Sequence, residues 1–262
     1  MIFVQPTSII ELAAALAEKA EKTVLAAGCT DILPGKIGKP WDAERIIDLT
    51  HIPELQKIRE EDGELFIGAC CTHAQIAENE TVRTHFKALA EACAQVGSVQ
   101  IRNRGTIGGN VANASPAADT VPCLMLFGER RETLGENGEC ITGFCLPLPE
   151  PGTVSAFVKL GDRDFVTIAR IQLAVKSVIT DGKLSRTSIV IGAAGKTPFF
   201  CEEAAAVLDG SRAEEDLLEP FAKALSEAIE ASIPGRSTLA YKRSAVKGPA
   251  AEILAKLRLE LY

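Results

Sequence analysis

Residues 100–122 read QIRNRGTIGGNVANASPAADTVP, within the densest cluster of glycine, asparagine and serine in a chain of 262 residues. Gly105, Gly108 and Gly109 allow positive φ and remove side chains, so a ligand can approach the backbone. Thr106 adds a hydroxyl, and Asn110 and Asn113 add amides. Successive N–H groups in such a turn make a nest that favours anions such as phosphates. Ser115 and Pro116 read as N-cap and first residue of a helix, whose positive end would face the same loop. Asp119, in that helix's first turn, suits a hydroxylated chain and would repel phosphate. The same residues also suit a glycine-rich turn ahead of a capped helix. The run is neither G-x-G-x-x-G nor a Walker A loop, and these considerations leave both readings open.

A second small-residue run precedes it. Ala26-Ala27-Gly28-Cys29-Thr30-Asp31 follows a buried strand predicted over 23–27, and the nest argument applies again. A tight turn is the plain alternative. Two such loops, each after a strand, could clamp one extended diphosphate. Around them the chain alternates strand and helix. Ser8-Ile9-Ile10-Glu11 is a capping box, and Ile9, Leu12, Ala13, Leu16 and Ala20 share one helical face, with Lys19 and Lys22 closing the last turn. A strand over 45–49, a hairpin over 56–69 and helices over 72–78 and 87–96 follow. Pro147, Pro149, Pro151 and Gly152 mark a boundary. Beyond it, strands are predicted over 154–160, 168–179 and 187–194, with Asp181-Gly182 turning the second into the third. Helices over 202–208, 217–231 and 239–261 complete a meander with helices on one face; Ile253, Leu254, Leu257 and Leu261 form the last stripe.

Composition narrows the class. A formal charge of −7 excludes the basic stripe of a nucleic-acid binder and a polybasic membrane anchor. No apolar run reaches membrane-spanning length and no signal segment is visible, so the expected place is cytoplasmic. The eight cysteines lack C-x-x-C spacing and read as reduced apolar filler, with no metal site expected. His51, His73 and His85 are far apart and read as structural or solvated. No catalytic side-chain set is expected.

The two loops, taken at full length, resemble those of the flavoprotein (medium) subunit of the molybdenum hydroxylases, the xanthine dehydrogenase and carbon monoxide dehydrogenase family. Its FAD-binding fold is called the PCMH or vanillyl-alcohol-oxidase type. The family pattern Q-I-R-N-R-G-T-I-G-G-N-x-A-N-A-S-P-A-A-D stands nearly verbatim at 100–119. Its A-G-G-T-D loop is similar to 27–31. Phe157-Val158-Lys159-Leu160-Gly161, Ile191-Gly192-Ala193-Ala194 with Thr197-Pro198, and Ala240-Tyr241-Lys242-Arg243 match further family motifs, so the resemblance spans essentially the whole chain.

The resemblance implies an α+β fold: a PCMH-type domain over 1–150, with α/β subdomains 1–54 and 55–150, then a C-terminal domain over 153–262 with a three-stranded antiparallel sheet and a helical bundle. It implies FAD as cofactor. The first diphosphate loop maps onto Leu25, Ala26, Ala27, Gly28, Cys29, Thr30, Asp31 and Ile32. The second maps onto Gly105, Thr106, Gly108, Gly109, Asn110 and Ala112. Asp119 maps to a contact with the flavin's hydroxylated chain, and Val96 and Lys159 to positions near the ring. The implied role is electron transfer: a molybdopterin subunit oxidises substrate, a [2Fe–2S] subunit carries electrons to FAD, and NAD+ or another acceptor receives them. A stand-alone flavin oxidase, or an assembly module without flavin, are the alternatives. Two departures stand out. Cys29 occupies a position where the family usually has Gly or Asn, and 126–157 is shorter than usual.

Overall fold

The helix signalled by Ser8 forms as its caps dictate. Ser8 Oγ accepts the Glu11 N–H at 3.2 Å, and the Glu11 carboxylate accepts the Thr7 N–H at 2.7 Å. The computed structural model describes residues 1–18, 20–40, 42–163, 166–212 and 216–260. Lys19 and Leu261, expected to close the first helix and the last stripe, lie outside the described residues. In chain order the elements are β1 (Ile2–Val4), α1 (Ile9–Ala17), β2 (Thr23–Ala26), β3 (Arg45–Asp48), β4 (Ile58–Glu61), β5 (Glu64–Gly68), α2 (His73–Glu78), α3 (Glu80–His85), α4 (Lys87–Ala94), α5 (Val99–Arg102), α6 (Ile107–Ala112), α7 (Thr120–Leu126), β6 (Arg130–Leu134), β7 (Cys140–Pro147), β8 (Thr153–Leu160), β9 (Ile171–Thr180), β10 (Lys183–Gly192), β11 (Phe199–Phe200), α8 (Glu202–Leu208), α9 (Leu218–Ser232), α10 (Leu239–Ala245) and α11 (Lys247–Leu259). They form two units, each drawn from separated segments.

The first unit combines Met1–Ile76, Val99–Ala114 and Glu129–Leu148. A parallel sheet of order β1-β3-β2 sits in it. Ile47 of β3 packs with Leu12, Ala15 and Leu16 of α1 and with Leu49, Ile52 and Leu55. An antiparallel sheet of order β4-β5-β7-β6 completes the unit. Asp62 and Gly63 turn β4 into β5 with φ of 51° and 77°, the pair of left-handed residues that a two-residue hairpin needs. β1, β6 and β7 were not expected. β1 is short and largely exposed, so it shows no periodicity; β6 is mostly charged and shifts register between Glu132 and Thr133, which blurs its alternation.

The second unit combines Ala77–Ser98, Ser115–Gly128 and Pro149–Tyr262. Its antiparallel sheet has the order β11-β10-β9-β8. Three long strands appear as expected, and two-residue β11 extends them. On one face, Ala156, Val158, Leu173, Val175 and Ile191 pack into a core with Phe221, Leu225 and Ile229 of α9 and Ile253 and Leu257 of α11. The expectation that helices cover one face alone needs correction. Strand side chains alternate, and the alternate set, including Ser155, Phe157, Gln172 and Ala174, is buried too. α4 and α7, from earlier in the chain, pack against the sheet as well. This two-sided cover explains why β9 is buried along nearly its whole length, without the alternation of a half-exposed strand.

The sheet's borders are occupied. The Phe157 N–H of β8 donates to Glu91 Oε2 at 2.7 Å, and Ser155 Oγ accepts the Ala88 N–H at 3.1 Å. Along β10, Leu184 N–H donates to Ser211 O, Leu184 O accepts the Gly210 N–H, and Ile189 O accepts the Cys201 N–H. The Thr187 N–H goes to Asp209 Oδ1 at 2.8 Å. Two further expectations change. The helix over 239–261 divides into α10 and α11, and Ser115-Pro116 does not start a helix. Ser115 Oγ instead accepts the Ala117 N–H at 3.3 Å, closing a local turn, and α7 begins only at Thr120, with Asp119 at its N-cap. Seven cysteines are buried and Cys29 is half-buried. Burial pushes the Cys70 thiol up to about 12 and those of Cys71 and Cys140 up to about 11, as expected of inert filler. Among the described residues no helix is long and apolar enough to cross a membrane.

Candidate functional site

The structure brings the two small-residue loops of the first unit into contact. Leu25 and Ala26 end β2, paired with Ile47 and Asp48 of β3. The chain then passes Ala27 and reaches Gly28, which lies against the backbone of the second loop. A Cβ on Gly28 would stand 1.9 Å from Arg104 O and 3.0 Å from Gly105 Cα. A Cβ on Gly105 would lie 3.3 Å from Thr30 Oγ1, so the two loops are seated on each other from both sides. Cys29 follows with a φ of 59°. This is the left-handed region, which explains why Gly or Asn suits the position and which an L-residue with a Cβ enters at a cost. Cys29 O accepts the Leu33 N–H at 3.2 Å, and burial, together with Asp48, raises its thiol pKa.

Free donors lie on the first loop. Among the described residues, the N–H groups of Cys29, Thr30, Asp31 and Ile32 meet no protein acceptor, and these residues are only partly covered. Four such donors in succession fit a phosphate. The second loop differs from its expectation. Gly105, Gly108 and Gly109 do not have positive φ. Thr106 caps α6, its Oγ accepting the Gly109 N–H at 3.2 Å. The N–H of Ile107 goes to Cys71 O, that of Gly108 to Ala69 O, and that of Asn110 to Thr106 O. Gly108 is needed for space: a Cβ there would be 2.7 Å from Ala69 O. Gly109 is exposed, and a Cβ on it would meet only Thr106 Oγ1, at 3.0 Å. Asn110 and the exposed Ala112 sit on the same short helix. The second loop thus supplies an open glycine surface and the first supplies the free amides. Together they fit a diphosphate.

His73 lies behind this cradle. Its backbone N–H donates to Gly105 O at 3.1 Å, and its ring carbon Cδ2 would be 3.3 Å from a Cβ on Gly105. The ring is buried, Nδ1 has no partner, and burial followed by the nearby Arg102 charge lowers the pKa to about 4. The imidazole is therefore neutral near pH 7. Of the two environments expected for the histidines, His73 has the buried one.

Val96, Asp119 and Lys159 gather in the second unit. Lys159 Nζ lies 2.7 Å from Asp119 Oδ2 and 3.2 Å from the carbonyl oxygen of Gln95, next to Val96. The Lys159 side chain is buried, only 4% exposed. Asp119 Oδ1 accepts from Gln172 Nε2 at 2.6 Å. Burial raises the Asp119 pKa, against the lowering effect of Lys159 and Gln172. Ala193 N–H donates to Pro116 O at 3.1 Å, so β10 also holds the segment before α7. Sequence reasoning missed Gln172 and the bracing role of His73. The one visible signal for Gln172 was a polar residue inside the apolar run Ile-Gln-Leu-Ala-Val. Nothing local marked His73.

Comparison with known proteins identifies the family of the chain. Residues 1–141 match the family described as FAD binding domain in molybdopterin dehydrogenase, and residues 156–257 match the CO dehydrogenase flavoprotein C-terminal domain. The chain is 29% identical to the nicotinate dehydrogenase FAD-subunit of Eubacterium barkeri, across 85% of this chain and 83% of that one. It is 29% identical to the carbon monoxide dehydrogenase medium chain of Afipia carboxidovorans, across 91% and 90%. Among solved structures, a carbon monoxide dehydrogenase chain from Hydrogenophaga pseudoflava superposes with a TM-score of 0.86 at 25% identity, covering 99% of this chain and 98% of that one.

Proposed function

The chain belongs to the family of FAD-binding domains in molybdopterin dehydrogenases, as an FAD-binding oxidoreductase subunit, and from that premise we propose that it carries electrons from a [2Fe–2S] partner to NAD+ or another acceptor within a complex that also holds a molybdopterin subunit. The observation that carries the site assignment is the seating of Gly28 on the Arg104–Gly105 backbone, with the unpaired amides of Cys29, Thr30, Asp31 and Ile32 beside it. In this reading those amides and the open surface at Gly109 hold the diphosphate, Asp119 accepts hydrogen bonds from the hydroxylated chain, and Lys159 and Val96 lie near the ring. FAD, when bound, supplies the redox chemistry. The protein's residues bind, orient and shield it. The names of the similar proteins, FAD-subunits and medium chains of dehydrogenases, support partners of the kinds stated.

The test is direct. The purified chain should show the visible absorption of a bound flavin and release FAD on denaturation. Co-expression with an iron–sulfur and a molybdopterin subunit should yield one complex that reduces its acceptor. Gly109→Val should leave the free chain folded, since the space over Gly109 is otherwise open, and should abolish FAD binding by crowding the diphosphate. A folded Gly109→Val chain that binds FAD like the parent would show the diphosphate to lie elsewhere.

A further inference from the structure

Gln172 is fully buried on β9, between Ile171 and Leu173. Its Nε2 lies 2.6 Å from Asp119 Oδ1 and 3.2 Å from Ala117 O. Both partners are acceptors, so both amide hydrogens are committed. The amide therefore has one orientation, because turning it over would set oxygen against oxygen. That orientation leaves Oε1 buried with no partner, an unfavourable state in an apolar layer. A second feature shapes the sheet around this side chain. Gly192 stands opposite Gln172 in the ladder. A Cβ on Gly192 would be 2.2 Å from Gln172 Oε1 and 2.7 Å from Pro122 Cγ. The sheet keeps a slot open for the amide.

We propose that Gln172 is a positioning residue for FAD, holding the Asp119 carboxyl correctly turned to accept hydrogen bonds from the flavin's hydroxylated chain, with Gly192 making the room. The proposal rests on the reading of Asp119 as a contact to that chain. A carboxylate offers about four lone-pair sites. Lys159 uses one and Gln172 another, which leaves capacity for hydroxyl donors. Once protonated, the carboxyl loses that capacity in part. The charged and titratable groups around Asp119 are Lys159 of β8, Cys93 of α4 and Cys123 of α7, with the neutral amide of Gln172 from β9. Without Gln172, Lys159 alone opposes the effect of burial, so Asp119 takes up its proton at a higher pH.

The experiment titrates the full chain with FAD, following flavin fluorescence between about pH 5 and 8.5, a range set to span a raised carboxyl pKa. Gln172→Leu should weaken binding by about tenfold near pH 7.5, the worth of one hydrogen bond to a charged group. Its loss of affinity on acidification should begin at a higher pH than in the parent. Gly192→Ala, which displaces the amide without removing it, should move the acid limb in the same direction. Gln172→Glu sets two carboxyls against each other, so its binding should instead weaken as pH rises. Asp119→Asn should bind weakly with no acid limb. If Gln172→Leu and Gly192→Ala keep the parent's affinity and profile while Asp119→Asn weakens binding, Gln172 is filler and the proposal fails alone. It fails equally if Gln172→Leu weakens binding by one factor at every pH. If Asp119→Asn binds FAD like the parent, the placement of the hydroxylated chain is wrong and the proposal falls with it.

Discussion

Gly28→Ala tests the cradle at its narrowest point. The added methyl would sit 1.9 Å from Arg104 O and 2.7 Å from the Arg104 carbonyl carbon. Neither atom belongs to a flexible side chain, so the two backbones must part by about 1 Å to reach a tolerable contact. Gly28 does not have positive φ, so the backbone conformation itself suits alanine and the effect is steric. Overpacking of this kind costs about 1–3 kcal/mol. In the free chain much of that strain is relieved as the loops relax apart; binding a diphosphate draws them together again. The expected result is a modest fall in the melting temperature of the apo-chain and an FAD Kd raised by about five- to 150-fold, the same energy read as affinity. Cys29→Gly is the complementary variant. It removes a Cβ from a φ of 59°, a gain of about 1–2 kcal/mol, against a chain-entropy loss of about 0.5–1 kcal/mol. Stability should rise slightly and FAD affinity should not fall. The assays are thermal denaturation without ligand and fluorescence titration with FAD. A Gly28→Ala chain that binds FAD within about twofold of the parent, under 0.5 kcal/mol, would refute the two-loop clamp.

Three further outcomes are expected. Lys159→Met leaves the buried Asp119 without its counter-charge and should cost about 3–5 kcal/mol by urea denaturation, while Lys159→Met combined with Asp119→Leu should cost less than Lys159→Met alone; a double variant as unstable as the sum of the singles would contradict the pairing. The pKa of His73 is lowered from 6.5 to about 4 in the folded chain. Unfolded chain therefore binds the proton first, and stability present above about pH 6.5 should fall by about 3 kcal/mol as pH drops towards 4; His73→Leu should flatten that slope, and an unchanged slope would assign it to other groups. Glu91→Ala removes the acceptor for the Phe157 N–H and the partner of Lys256, and should cost about 1–3 kcal/mol, read as a lower urea midpoint.

Much of the site was legible because its requirements are local. Gly28, Gly108 and Gly109 announce themselves as places where a side chain is missing, and Asp62-Gly63 and Asp181-Gly182 specify hairpins from two residues each. What remained hidden depends on distant partners. Ser115-Pro116 has the chemistry of a helix start, yet Ala193, Gln172 and the Ser115 hydroxyl hold that segment in a turn. Lys159 looks like a solvated lysine until the fold places Asp119 beside it, 40 residues earlier in the chain. The free amides fell on the loop around Cys29, and not on the glycine-rich loop, because the first N–H groups of α6 are taken by the carbonyls of Cys71 and Ala69 and by the Thr106 cap. β6 escaped notice since charged residues and a register shift erase the alternation that marks a strand.

The occupied borders of the sheet in the second unit limit how other chains can join it. Strand addition needs an unpaired row of backbone donors and acceptors. On β8 the outward Phe157 N–H is already spent on a glutamate, and along β10 Leu184, Thr187 and Ile189 are paired with residues 201–211. A strand adding to this sheet would have to displace these bonds first, at about 1 kcal/mol each.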